Sequence, residues 1–393
     1  MRIFVLLSRI PWPLEKGDKL RAYHQIRCLS QKNEIILCAL NTDRKADKQR
    51  AFKALQPYCR SINFIDLPAT GKAINLIRAM AEGRPLQSGY FYNRSANRKI
   101  NTLINEYKPD MLYGQLLRVA EYIRYHKLPK ALDYQDVFSV GMQRRVEVSP
   151  WYLKPFLRLE FSRLTRYESE VFSDFDLKCI ISKPDRDLIA HPDREQIMIV
   201  ANGVDHDFFK PLIKEKKFDV VFTGNMAYPP NVNAAEFLVR EIMPKVWNKY
   251  PQTKVLLAGA TPDQRVRNLA SDRVSVSGWL DDIREAYATS KIFIAPMRIG
   301  TGLQNKLLEA MSMKLPCITT PLANNALEGR HGENLLLGNS ADELATNILH
   351  LMQDDIDAGR IADNGYNFVH QHYNWEQATE KFMQKFQEIV NQQ

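Results

Sequence analysis

The stretch of this 393-residue chain best suited to chemistry runs Ile294-Ala-Pro-Met-Arg-Ile-Gly-Thr-Gly-Leu-Gln-Asn-Lys-Leu-Leu-Glu-Ala-Met311. Its apolar start reads as a strand ending at Pro296, Gly300 and Gly302 as a loop, and Leu303, Leu307 and Met311 as the buried side of a helix beginning near Leu303. Loop glycines allow a ligand close to the backbone. The first N–H groups of the helix then point at an anion, helped by the helix dipole. Lys306, one turn in, adds a full positive charge, and Glu309 can accept hydrogen bonds from two vicinal hydroxyls. Together these residues suit a phosphate beside a diol. They are equally compatible with a structural loop and a solvated Lys–Glu pair. The spacing is neither that of a P-loop nor that of the Rossmann glycine fingerprint.

A second glycine sits at a similar junction. Ile10-Pro-Trp-Pro-Leu-Glu-Lys-Gly17 follows an apolar strand, and Asp18-Lys-Leu-Arg21 opens a helix. Gly17 and the Asp18 amide suit a phosphate or sugar, and Lys19 and Arg21 an acidic acceptor. The alternative is a simple turn capped by Asp18. Asp136, in Ala131-Leu-Asp-Tyr-Gln-Asp136, follows another strand and suits a base or acceptor-binding group. Gln115 and Arg118 follow a further strand and can face the same ligand. Trp151 to Tyr167 mixes aromatic and basic residues, which suits either an anionic membrane surface or an ordinary amphipathic helix.

The elements that must position these residues alternate. Short apolar strands are expected at 2–7, 34–40, 61–65, 111–113, 130–133, 178–182 and 196–200. After a loop near Asn202–Pro211 the pattern restarts at 218–223, 254–258, 274–277, 292–295, 316–319 and 334–337. Helices are expected between them, at 18–31, 73–82, 95–107, 155–173, 231–249, 262–270, 281–289, 303–313 and 341–354, with a terminal helix over 364–393. Such alternation predicts an α/β protein with parallel sheets covered on both faces. Two doubly wound, Rossmann-like domains follow. One spans 1–205, joined by a terminal helix 376–393, and the other spans 206–375. The ligand is expected in a cleft between them, at the carboxyl ends of the strands.

Composition narrows the classes. Apolar residues make up 45% and charged residues 25%, as in ordinary folded proteins rather than disordered or collagenous ones. No apolar run is long enough to cross a membrane, and the start is too short for a signal peptide, so a cytoplasmic chain is expected. Five scattered cysteines offer neither a disulfide framework nor metal spacing. The net charge of +9 is concentrated early: residues 1–100 hold 19 Lys/Arg against 7 Asp/Glu. A basic surface attracts anionic lipid or phosphorylated ligands. No nucleic-acid motif accompanies it, so no nucleic-acid partner is expected.

The 294–311 segment resembles the donor-site signature of GT-B glycosyltransferases of family 4, in particular the exopolysaccharide-associated sugar transferase branch with R-I-x-x-G-[IL]-Q-N-K-[VL]-L-E-A-M. Further matches occur in order: Arg9–Arg21, Asn202-Gly-Val-Asp205, Phe222–Asn231, Gly278-Trp-Leu-Asp-Asp282 and His372-Tyr-Asn-Trp-Glu376. The resemblance implies two Rossmann-like domains. It implies transfer of a sugar from a nucleotide-diphospho-sugar to a glycan or lipid-linked acceptor, with retention of configuration and without a metal or other cofactor. It also implies a role in cell-surface or exopolysaccharide synthesis, with peripheral contact at the inner face of the membrane.

By the same resemblance Glu309 holds the ribose, while the backbone at Trp279 and Leu280 pairs with the nucleotide base. The family's first glutamate falls at Thr301, a departure from the pattern. The family's diphosphate-clamping cations fall near Gly224 and Asn225, where this chain has none. Lys306 is the expected substitute, with Arg298 second, and Asp136 takes the acceptor side. The alternatives are a sugar-nucleotide epimerase of the same architecture or a non-catalytic sugar-nucleotide-binding protein.

Overall fold

The computed structural model describes residues 1–43, 45–68, 72–300 and 302–391. Thr301, expected in the donor loop, lies outside the described residues. The chain forms two compact units, Met1–Ala201 with Glu376–Gln393, and Asn202–Trp375.

In the first unit seven strands, β1 (Arg2–Leu7), β2 (Glu34–Asn41), β3 (Ser61–Asp66), β4 (Met111–Gln115), β5 (Lys130–Asp133), β6 (Leu177–Ile180) and β7 (Met198–Ile199), form one sheet. The spatial order is β3-β2-β1-β4-β5-β6-β7, and every pairing is parallel. Side chains alternate across a strand, so the apolar runs supply two cores. Phe4, Leu6, Ile36, Cys38, Leu112 and Leu132 line one face. Ile3, Val5, Ile35, Leu37, Met111, Tyr113 and Ala131 line the other. The second core is completed by the terminal helix Trp375–Asn391, whose Phe382 and Phe386 rings lie 5.2 and 5.9 Å from Tyr113.

That second face also carries a buried polar cluster. Arg21, on the helix Gly17–Leu29, donates from Nε to Asp133 Oδ2 at 2.6 Å, and both side chains are fully buried. The same guanidinium donates to the Val200 carbonyl at 2.8 Å. Tyr113 Oη donates to Asp133 Oδ2 at 3.0 Å, and Asp133 Oδ1 accepts from the Gln135 amide at 3.1 Å. A charge this deep persists because hydrogen bonds replace its lost hydration.

In the second unit six strands, β8 (Phe218–Thr223), β9 (Val255–Ala258), β10 (Val274–Val276), β11 (Ser290–Ala295), β12 (Cys317–Thr319) and β13 (Leu336–Leu337), pair in parallel in the order β10-β9-β8-β11-β12-β13. In both sheets the order reverses once, between β1 and β4 and between β8 and β11. In open α/β sheets such reversals open a crevice at the carboxyl ends of the strands.

Every expected strand is present within a few residues, and the α/β class holds. The helices differ more. The terminal stretch is not one helix: Asp355–His372 and Trp375–Asn391 are separated at Tyr373-Asn374. There Tyr373 Oη donates to the Leu327 carbonyl at 2.7 Å and the Tyr373 carbonyl accepts from the Val204 amide at 3.0 Å. The helix Phe138–Val148 was not among those expected. It is held from outside, by Glu168 accepting from the Ser139 amide at 3.0 Å and from its hydroxyl at 2.5 Å.

Arg21→Met would leave the Asp133 carboxylate buried without its cation. The expected loss of unfolding free energy is about 3–5 kcal/mol, measurable by urea denaturation. A loss below about 1 kcal/mol would show that the pair does not organise this core.

Candidate functional site

The reversal between β8 and β11 gathers the residues of interest. β8 ends at Thr223 and is followed by Gly224 and Asn225, while β11 ends at Ala295 and leads through Gly300 and Gly302 to the helix Asn305–Ser312. That helix starts two residues later than Leu303. Its N-cap, Gln304, makes no side-chain cap bond, donating instead to the Gly302 carbonyl at 2.8 Å. Asn305 is tied by Asn202, whose Nδ2 donates to its Oδ1 at 3.1 Å.

Lys306 lies in the first turn and is half-buried. Its Nζ donates to Asn231 Oδ1 at 2.5 Å and sits 4.8 Å from the centre of the Phe222 ring. Among the described residues no carboxylate lies within 4.0 Å of it. Burial without a counter-charge pulls its pKa down to about 7, although Glu309 pulls the other way. The Lys306 amine is therefore held in place with its charged form disfavoured, and a nearby anion would restore the charge.

Asn231 is the hinge of this arrangement. Its Oδ1 receives Lys306, while its Nδ2 donates to the Asn225 carbonyl at 2.9 Å. Gly224 lies against both partners: a Cβ there would come within 2.7 Å of Asn231 Nδ2 and 3.2 Å of Lys306 Nζ. At Gly259 a Cβ would fall 1.9 Å from the Gly224 carbonyl oxygen. Both glycines have positive φ, 153° and 139°, so sterics and backbone conformation alike require glycine.

Glu309 sits one turn beyond Lys306, also half-buried. Its Oε2 accepts from Tyr287 Oη at 2.6 Å, and Tyr287 Oη lies 2.8 Å from Thr223 Oγ1. The single phenol proton goes to Glu309, so Thr223 donates to Tyr287. Burial raises the Glu309 pKa, while Tyr287 and Lys306 pull it down. Among the described residues Glu309 Oε1 makes no hydrogen bond, which leaves it open to donors from a ligand.

Other expected residues are placed differently. Arg298 is exposed. It bonds Asn233 Oδ1 and Glu241 Oε1, each at 3.2 Å, and stacks on Phe237 at 4.1 Å; these partners are not those of Lys306. Trp279 is 62% exposed, so it does not pack in the core, and its Nε1 donates to Asp281 Oδ1 at 3.2 Å. Leu280 beside it is partly exposed, and Asn225 is exposed.

In the first unit the outcome corrects the sequence. Arg21 cannot meet an acceptor, because it is fully buried against Asp133. Lys19 pairs with Glu15 at 2.9 Å. Gln115 is buried, with Nε2 3.4 Å from Gln25 Oε1. Gly17 is exposed at the helix start, with open space where a Cβ would go. Asp136 is exposed, three residues past β5, and accepts from the Val137 amide at 2.8 Å. Surrounding protein raises its pKa, against Val137, Arg144 and Arg118. Arg118 remains half-buried between aromatic rings.

Asn231 and Tyr287 were missed as site residues. Asn231 closes the Phe222–Asn231 motif, which was a usable signal. Tyr287 had none, because an isolated tyrosine in an amphipathic stretch looks like core. Glu168 and Asp185 were also missed. Burial pushes them up to about 7 and about 6, against hydrogen bonds from Ser139 and Ser182 respectively.

The chain is similar to several known proteins. Residues 217–354 match the family model described as "Glycosyl transferases group 1". A Klebsiella pneumoniae protein, described as an uncharacterized 44.6 kDa protein in the cps region, is 20% identical over a 400-residue alignment covering 95% of this chain and 96% of its own. Sucrose-phosphate synthase from Thermosynechococcus elongatus superposes with a TM-score of 0.72 at 16% identity, over 100% of both chains. Anabaena HepE, solved with UDP and glucose, gives 0.71 at 14%, over 98% of this chain and 99% of its own. The two parallel-sheet units match the GT-B neighbours in fold, residues 217–354 match the group 1 glycosyl transferases, and the protein is a glycosyltransferase.

Proposed function

We propose that the enzyme moves a sugar from a nucleotide-diphospho-sugar to a glycan or lipid-linked acceptor, with retention of configuration, in the manner of the family 4 branch its motifs resemble. The observation that carries this reading is the uncompensated Lys306 ammonium. Asn231 fixes it at the start of an uncapped helix, one turn from a glutamate with an open oxygen. In this reading Lys306 and the amides of Gly300, Gly302 and the helix start receive the leaving diphosphate. Charge growing there is stabilised most by donors already in position. Glu309 Oε1 accepts from the ribose hydroxyls, and the backbone at Trp279 and Leu280 pairs with the base. Asp136 faces the acceptor.

The mechanism needs no metal or other cofactor, because a fixed cation already meets the charge. The Asp281-Asp282 pair is otherwise engaged, Asp282 with Arg284 at 2.7 Å and Asp281 with Trp279. The UDP bound by HepE supports a nucleoside diphosphate as leaving group. The cps-region relative supports a place in capsular or exopolysaccharide synthesis.

Lys306→Ala should lower turnover by about 100-fold or more, with a smaller loss of donor affinity. Arg298→Ala should cost less. Glu309→Ala should weaken nucleotide-diphosphate binding by roughly 1.5–3 kcal/mol per lost hydroxyl bond. Steady-state kinetics and calorimetry read these out. Near-normal turnover by Lys306→Ala, with an inactive Arg298→Ala, would reverse the two roles.

The depressed pKa of Lys306 sets a pH dependence. Below about 7 the ammonium is present, and as pH rises through that value it is lost from the empty site. A bound diphosphate favours the charged form and raises the pKa. Donor-sugar affinity should therefore fall from pH 6.5 to 8.5, and binding at pH 8 should take up a proton, seen as a buffer-dependent calorimetric enthalpy. Lys306→Met should remove both effects.

A lipid-linked acceptor would be met at a membrane. Among the described residues no helix is long and apolar enough to cross one. Trp151, Tyr152, Leu153, Phe156 and Leu159 are all exposed, Trp151 by 82%. They lie at the start of the helix Lys154–Phe172, among Arg144, Arg145, Lys154 and Arg158. Aromatic and basic residues together favour an anionic interface. The protein should co-sediment with vesicles containing phosphatidylglycerol and release as salt rises, and a Trp151→Ser, Phe156→Ser variant should bind more weakly. No recovery with anionic vesicles at low salt would favour a soluble acceptor.

A further inference from the structure

The first sheet has its own reversal, between β1 and β4. Arg9 follows β1 by two residues and Arg118 follows β4 by three, so both leave the carboxyl edge where such sheets bind ligands. The other enclosed arginines of this unit are matched by carboxylates. Arg21 lies 2.6 Å from Asp133, and Arg124 lies 2.5 Å from Asp174 and 2.9 Å from Glu121.

Arg118 is built differently. Its guanidinium carbon lies 5.0 Å from the Phe91 ring centre and 5.0 Å from that of Phe138. Among the described residues its one hydrogen bond is long, Nε to Gln87 Oε1 at 3.4 Å, and no carboxylate comes within 4.0 Å. The terminal nitrogens, which form the fork, make no hydrogen bond there. Aromatic packing fixes the guanidinium and leaves its donors unused. A planar fork of this kind matches the paired oxygens of a carboxylate or phosphate.

The surroundings agree. Burial without a counter-ion pulls the Arg118 pKa down to about 10, and Arg9 adds to this, while Asp18 and Asp136 oppose it. Asp18 is already paired with Arg9 at 3.1 Å. The loop is held in a costly conformation: Leu116 has φ 68° and ψ 147°, a region that side chains rarely enter.

We propose that Arg118, supported by Arg9, binds an oxyanion carried by the acceptor, a phosphate or a carboxylate. The inference rests on the reading of this unit as the acceptor side. It assigns the acceptor a negative charge, and it moves the acidic-acceptor contact from Lys19 and Arg21, which are engaged elsewhere, to a cation that is not.

The test compares binding of charged and neutral pairs by calorimetry: farnesyl phosphate against farnesol, and glucuronate against glucose. The intact protein should prefer at least one anion by about 10- to 100-fold, and the preferred pair tells a lipid phosphate from a sugar carboxylate. Arg118→Met should abolish the preference. Arg118→Lys, which keeps charge but not the fork, should fall between and decides the matter if the Met variant does not fold. Lys306→Met should keep the anion preference while lowering turnover and weakening nucleotide-sugar binding to a smaller extent, so failure at the donor site is read separately. No preference in the intact protein, or an undiminished preference in a folded Arg118→Met, would overturn the proposal.

Discussion

An all-parallel sheet sends the carboxyl ends of its strands to one edge, and every crossover must return over a face. That constraint organises both units. Each sheet grows in one direction from its first strand and then resumes on the other side, so neighbouring loops diverge at a single point. In the second unit this point lies between β8 and β11, and the loops that leave it carry Gly224, Asn225, Gly300 and Gly302. In the first it lies between β1 and β4, and the loops carry Arg9 and Arg118. The chemistry collects where the backbone hydrogen-bond pattern leaves a gap.

Each gap holds a cation without a carboxylate within ion-pair distance among the described residues. Lys306 is steadied by Asn231 and Phe222, and Arg118 by two phenyl rings. Neutral partners fix the direction of a charge without cancelling it. Burial disfavours the charged form of both groups and lowers their pKa values. Elsewhere the molecule treats buried charge in the opposite way. Arg21 and Asp133 neutralise each other in the core, with Tyr113 accounting for part of the remaining hydrogen-bonding capacity. The contrast separates charges neutralised within the fold from charges held by neutral partners.

The neutral partners also explain the demand for glycine. Asn231 reaches Lys306 only because the chain beneath it has no side chain, and Gly259 packs its Cα against the Gly224 carbonyl. A methyl group at either position would displace the amide that aims the ammonium. The Lys306–Asn231 hydrogen bond thus depends on a backbone contact between two strand ends, a layer below it.

Much of this was legible in the amino-acid sequence. Strand positions follow from apolar runs, because a strand buried on both faces must be apolar throughout. The loop–helix segment holding Lys306 and Glu309 is local, so its spacing alone places both on one helix a turn apart. Helices held by distant partners were less legible. The helix Phe138–Val148 depends on Glu168, and the break at Tyr373-Asn374 depends on Leu327 and Val204. Which cations are free was not legible at all. Lys19, Arg21, Arg118 and Arg298 are alike as residue types, and their fates are set by carboxylates and rings as far as 112 positions away, as for Arg21 and Asp133. Residue spacing sets what a helix turn presents, whereas the neutralisation of a charge is decided by whatever the fold brings within a few ångströms of it.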